Sequence, residues 1–137
     1  MAYVIRTRID DIDAETFAFP EAKTMYGGRR IAAGDTIFLF ASENSGGSGL
    51  IGRGIVTHAE AVPPIEGLDR QTPRVTIAVR RDARAQKPLG RAELKPFRGQ
   101  DDGRSESELD SKLYRQATGK IVGITGETWR FLDGFCR

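Results

Sequence analysis

Gly47-Ser48-Gly49-Leu50-Ile51-Gly52 match the dinucleotide pattern G-x-G-x-x-G letter for letter. That fingerprint needs its third glycine inside a helix whose N-terminus faces a pyrophosphate. Here Ile55-Val56-Thr57 follow, a β-branched run that reads as strand, so a hairpin loop is expected and no dinucleotide. A Walker loop fails too: Arg53 stands where its lysine would be, and no Ser or Thr follows. His58 is the sole histidine, and catalysis by it would need an activated nucleophile and an orienting acid, for which there is no signature. A solvent-facing or hydrogen-bonded strand histidine is the expectation, with no catalytic residue, metal set or cofactor.

Binding chemistry has better candidates. Ser42 and Asn44 follow directly on an apolar strand, so a hydroxyl and an amide are held at the rim of the core, where polar groups can read a ligand or simply cap the turn. Tyr26 precedes Gly27-Gly28-Arg29-Arg30, and an aromatic ring beside guanidinium groups is the usual chemistry for an unstacked base and its phosphate. Tyr3, Phe40 and Trp129 are further stacking surfaces, although Trp129 lies on the apolar side of the last expected helix, which suits core packing.

These residues need a frame. Gly34 to Pro63, GDTIFLFASENSGGSGLIGRGIVTHAEAVP, reads as two strands, Thr36 to Ala41 and Leu50 to Val62, joined by a polar glycine-rich loop. The unbroken run Ile37-Phe38-Leu39-Phe40 suits a strand covered on both faces. Gly52 and Gly54 predict a bulge or a close backbone approach. Tyr3 to Ile9 alternates, predicting a first strand with one buried face and a basic face carrying Arg6 and Arg8; Pro73 to Arg81 alternates likewise. Asp13 is an expected cap for a helical turn through Phe17, and Pro20 to Met25 for a second short helix. Asp82 to Gly103 reads as a long loop with one short helix, anchored by Leu89, Leu94 and Phe97. Ser105-Glu106-Ser107-Glu108 form a capping-box pattern for a helix carrying Leu109, Leu113 and Ala117 up to Gly119. Lys120 to Ile124 is a short strand, and Thr125 caps a last helix with Trp129, Leu132 and Phe135 on one side. About five strands with irregularly inserted helices give an α+β domain on a curled sheet or open barrel.

The 137 residues are about the size of one domain, so residues 1–137 are taken as a single unit. The net charge of +2 hides an asymmetry: Arg70 to Arg98 holds nine Lys or Arg against Asp82 and Glu93, whereas Asp101 to Asp110 holds five acids against Arg104. Cys136 is the only cysteine, which excludes an internal disulfide, and no apolar run is long enough for a membrane-spanning helix. The opening MAYVIRTRID lacks the apolar region of a signal peptide, and a cytoplasmic location is expected.

The central run GDTIFLFASENSGGSGLIGRGIVTHAEAV resembles the core strand pair of the PUA-like superfamily, in particular its EVE, YTH and ASCH members. These carry a Gly-Asp turn, an apolar strand ending in a small polar residue, a polar loop and a G-x-G-x-A-x-V strand. The tail KIVGITGETWRFLDGF is similar to the closing strand and helix of EVE-type domains, and YVIRTRID suits their first strand. The resemblance implies a small PUA-like pseudo-barrel of about five or six strands with flanking helices. It also implies a nucleic-acid partner, RNA or DNA, with a base, in some members a modified one, taken into a pocket. Carried over, the polar strand end is Ser42 with Asn44 beside it, and the segment before the Gly-Asp turn is Tyr26 to Arg30. Where EVE domains usually have a tryptophan and an Arg-Asn motif, this chain has Phe19, Tyr26 and Arg29. The expected base pocket is therefore Ser42, Asn44, Tyr26, Phe40 and Trp129, with Arg29, Arg30, Arg80 and Arg81 near phosphates. An ASCH-like ribonuclease, which would draw on His58, and a small-molecule or protein-interaction module are the alternatives.

Overall fold

Six strands close into a barrel in the computed structural model, which describes Met1–Arg137. In chain order they are β1 (Ala2–Thr7), β2 (Thr16–Met25), β3 (Thr36–Ala41), β4 (Gly49–Ala61), β5 (Arg74–Arg84) and β6 (Ile121–Gly123). Around the barrel the order is β1-β3-β4-β5-β2-β6, and the three-residue β6 closes it, antiparallel to β1 and parallel to β2. Helices α1 (Arg91–Leu94), α2 (Ser105–Ser111) and α3 (Gly126–Asp133) flank it, and α2 runs on into a π-helical turn, Lys112–Gln116. The expected α+β pseudo-barrel of five or six strands with flanking helices is thus present, as a closed barrel rather than a curled sheet or an open one.

The core has two layers, which explains the apolar run of β3. Ile37 and Leu39 pack with Tyr3, Ile5, Val56, Ile77 and Val79, while Phe38 and Phe40 pack with Leu109, Leu113 and Leu132 from the helical side. All four β3 side chains are fully buried, each stabilising by roughly 1.5–3 kcal/mol. The same covering accounts for β1, whose second face is not a basic solvent face: Arg6 is 2% exposed and its guanidinium lies 4.4 Å from the centroid of the Tyr114 ring.

Neither expected helix between Asp13 and Met25 forms. Phe17 and Phe19 face inward opposite Val79 and Ile77, and β2 is the strand that completes the barrel. Pro20 is accommodated because the register shifts between Phe19 and Ala22, leaving Pro20 and Glu21 in a bulge where no ladder donor is required of the proline. The bulges forecast by the glycines of β4 are present, with register shifts opposite Leu39/Phe40 and between Arg53 and Gly54. A Cβ on Gly52 would lie 2.2 Å from the Ala83 carbonyl oxygen, so the two backbones meet too closely for any side chain.

The helical forecasts are met in part. Thr125 caps α3, its hydroxyl accepting from the Thr128 N–H at 3.2 Å. The capping box does not form, because α2 begins one residue earlier than a Ser105 cap requires, with Arg104 at the cap position. Ser107 instead donates to Asp102, and Glu108 is drawn to Lys112, Thr125 and Thr128. Leu89 and Leu94 are buried anchors as expected, Phe97 only half-buried.

Candidate functional site

The turn after β2 is built to hold one aromatic ring. Tyr26 and Gly27 both take left-handed backbone angles, φ 52° and 81°, the first of them strained for a residue with a side chain. What holds the strain is contact with β6. The Gly123 N–H donates to the Tyr26 carbonyl at 3.1 Å, and Gly28 lies so close that an added Cβ would be 1.9 Å from the Ile121 carbonyl oxygen. The Tyr26 ring, 43% exposed, faces a cleft of about 560 Å³.

The opposite wall of that cleft is α2 and its π turn. Tyr26 donates its hydroxyl proton to Gln116 Oε1 at 2.9 Å, and Lys112 Nζ stands 4.8 Å from the ring centroid. Lys112 is fixed by Glu108 Oε2 at 2.7 Å and the Gly123 carbonyl at 2.8 Å. Burial would raise the Glu108 carboxyl, but the hydrogen bonds from Lys112, Thr128 and Thr125 outweigh it and hold the group below its ordinary value. Ser107, Ser111 and Arg115 also line the cleft, so one face is aromatic and the rest supplies donors and acceptors in fixed places.

A second cleft, of about 300 Å³, lies on the other side of the π turn. It is lined by Arg91, Lys95, Arg98, Asp110, Tyr114 and Arg115. Arg115 belongs to both clefts. Lys95, Arg98 and Arg115 form no salt bridge or side-chain hydrogen bond within the chain, and so remain free for an anion. Asp110, buried among them, is pushed up by desolvation against the pull of Arg115 and Arg98.

Two residues lining this cleft, Arg91 and Tyr114, belong to an ionic knot around Glu43. Its carboxylate accepts from Arg6 Nε at 3.1 Å, from the Arg91 N–H at 2.7 Å and from the Tyr114 hydroxyl at 2.8 Å. Desolvation would raise Glu43, yet these bonds leave it below the usual carboxylate value. Burial and the adjacent Glu43 in turn push the Tyr114 phenol well up.

The residues singled out in the sequence are dispersed. Tyr26 lines the first cleft, and Asn44 touches the edge of the second, where its Oδ1 accepts from Arg91 Nη2 at 2.8 Å. Ser42 is buried, its carbonyl accepting the N–H groups of Ser45 and Gly47, so it organises the β3–β4 connection. Phe40 is fully buried in the outer core layer and offers no ring face to a base. Trp129 sits on the exposed side of α3 at 40% exposure, not in the core, and lines neither cleft. Arg29, Arg30 and Arg80 are exposed. Arg81 is a structural residue: it is 8% exposed, and its guanidinium donates to the carbonyls of Ala14, Ile51 and Ile12 rather than facing an anion from outside. His58 meets only Glu60, at 3.5 Å, and lines neither cleft.

Lys112, Tyr114, Arg115, Gln116 and Asp110 were missed. Their signal was the polar remainder of the helix whose apolar positions are Leu109, Leu113 and Ala117. A regular helix would turn that remainder to solvent; the π turn widens the backbone and aims it at two clefts.

No family model and no curated protein sequence matches the chain. Solved structures do match. The DUF55 domain of human thymocyte nuclear protein 1 aligns with a TM-score of 0.66 at 15% identity, over 96% of this chain and 95% of that one. A crystal structure of a protein from Pseudomonas putida gives 0.66 at 15% identity, over 98% and 99%. The chain shares the fold of these structures, a small α+β pseudo-barrel of the PUA-like kind with flanking helices. Human THYN1 in complex with DNA containing 5-methylcytosine also aligns, at a TM-score of 0.60 and 13% identity over 95% and 94%.

Proposed function

We propose that the protein is a nucleic-acid-binding domain that takes an unstacked base, including a modified one, into the Tyr26 cleft and places neighbouring phosphates on Arg115, Arg98 and Lys95. The observation that carries this reading is the position of Arg115, which joins an aromatic, hydrogen-bonding pocket to a row of unpaired cations. A flat ring can lie against Tyr26 while its edge meets Ser107, Ser111 and Gln116, and the strand's charge is met next door. The likeness to a barrel solved with methylcytosine DNA supports the same ligand class. The base is thereby assigned to Tyr26 rather than to the Ser42 and Asn44 end, where Ser42 is buried and the Asn44 amide already accepts from Arg91.

Fluorescence anisotropy with labelled oligonucleotides, plain and carrying 5-methylcytosine, tests it. Tyr26→Ala is expected to weaken binding by about 1–3 kcal/mol, the worth of one stacked base. Arg98→Ala and Arg115→Ala are each expected to reduce the slope of log affinity against log salt by about 1. Wild-type protein that binds no oligonucleotide in a salt-sensitive way would refute the proposal.

A further inference from the structure

The turn that presents Tyr26 has a second side. Three residues on, Arg29 lines a separate groove of about 890 Å³ between β2 and the β4–β5 connection, residues 62–73. Lys23, Arg70 and Arg74 line it too, against a single acid, Glu21; Glu66 and Asp69, on the same connection, do not. Its apolar wall includes Ile65 and Leu68, which are 65% and 55% exposed.

The connection is held in one shape. The Gln71 amide accepts from the Ile65 N–H at 2.6 Å and donates to the carbonyls of Ile65 and Leu68 at 2.8 and 3.0 Å. Arg74 is steadied by the Glu21 carbonyl at 2.8 Å. Two apolar side chains kept in solvent by a fixed loop gain nothing for folding, and a cationic surround suits them to a polyanion that also offers flat apolar faces.

We propose that this groove is a second nucleic-acid contact, in which Ile65 and Leu68 press on a base or sugar while Arg29 and Arg70 meet phosphates. The inference rests on the base site at Tyr26 and extends it along the same strand. Three residues of backbone reach at most about 11 Å, or about three stacked base steps of 3.4 Å. The segment is not extended, its Arg30 N–H donating to the Gly27 carbonyl at 3.0 Å, so the groove engages nucleotides within about three positions of the held base. Four cations against one acid select a nucleic acid over a protein surface of ordinary composition.

The test is anisotropy with two oligonucleotides bearing a central 5-methylcytosine, one of about three and one of about thirteen nucleotides, so that only the longer fills the groove. Wild type is compared with Ile65→Ser/Leu68→Ser, Arg29→Ala/Arg70→Ala and Tyr26→Ala. Both groove variants should weaken the longer ligand about tenfold and leave the shorter unchanged, and the arginine pair should lower the salt slope by about 2. The substituted side chains are exposed, so folding is not at stake. If the groove variants bind the longer ligand as wild type does while Tyr26→Ala binds weakly, the groove assignment is overturned and the base site stands. If wild type binds neither ligand, both fall. Binding of a polyglutamate peptide that the arginine pair abolishes, with oligonucleotide binding unchanged, would assign the groove to a protein and overturn the inference as well.

Discussion

Glu43 ties β1, the β3–β4 connection, α1 and the π turn to a single carboxylate, through Arg6, the Arg91 N–H and the Tyr114 hydroxyl. Arg6 is buried and has one guanidinium nitrogen, Nη2, without any partner, so Glu43 is its one counter-charge. Substituting Glu43→Gln leaves that charge buried and uncompensated, and a loss of about 3–5 kcal/mol in urea unfolding is expected. The pH dependence follows from the lowered carboxyl of Glu43, and of Glu108 alike, each against an ordinary value of 4.5. The stabilisation is complete above that value, where the unfolded chain is also ionised, and is lost as pH falls towards the folded value, because the unfolded chain then binds the proton first. Urea midpoints should drop as pH falls below about 4.5, with a flatter profile for Glu43→Gln. Equal pH profiles for the two proteins would show that the knot contributes nothing.

At the scale of elements, the site depends on how closely the turn after β2 approaches β6. Gly28→Ala would set a Cβ against the Ile121 carbonyl, so either the turn or β6 must move. The expected cost is about 1–3 kcal/mol in urea unfolding, as for other overpacked positions, together with weaker oligonucleotide binding because Tyr26 moves with the turn. Unchanged stability would mean that the clamp is slack. These same elements mark what could be read beforehand. β3 was legible because four consecutive apolar residues need cover on two sides, and β1, β4 and β5 because alternation or glycine placement left one solution. β2 was not, since Pro20 argues against a strand until the bulge that absorbs it is known, and bulges are set by the partner strand. Asn44 and Tyr26 were visible as polar and aromatic residues at turns, but the π turn that supplies Lys112, Arg115 and Gln116 has no period in the sequence.

Taken whole, the molecule is a closed barrel with its helices gathered over β1 and β3, and its charge is segregated far more than a net +2 suggests. The basic segment ending at Arg98 and the acidic one beginning at Asp101 fold onto adjacent clefts: Lys95 and Arg98 line the cation cleft, and Asp101 and Asp102 line the Tyr26 cleft. In the proposed binding mode, phosphates are favoured on one side of Arg115 and a neutral base with exposed N–H groups on the other. The central claim is that the base lies at Tyr26 and the π turn. A ¹H–¹⁵N NMR titration with a 5-methylcytosine oligonucleotide tests it most directly. Saturable shifts concentrated at Tyr26, Gly27 and Ser111 to Gln116 are predicted; shifts confined to Ser42 to Gly49, with Tyr26 unmoved, would contradict it.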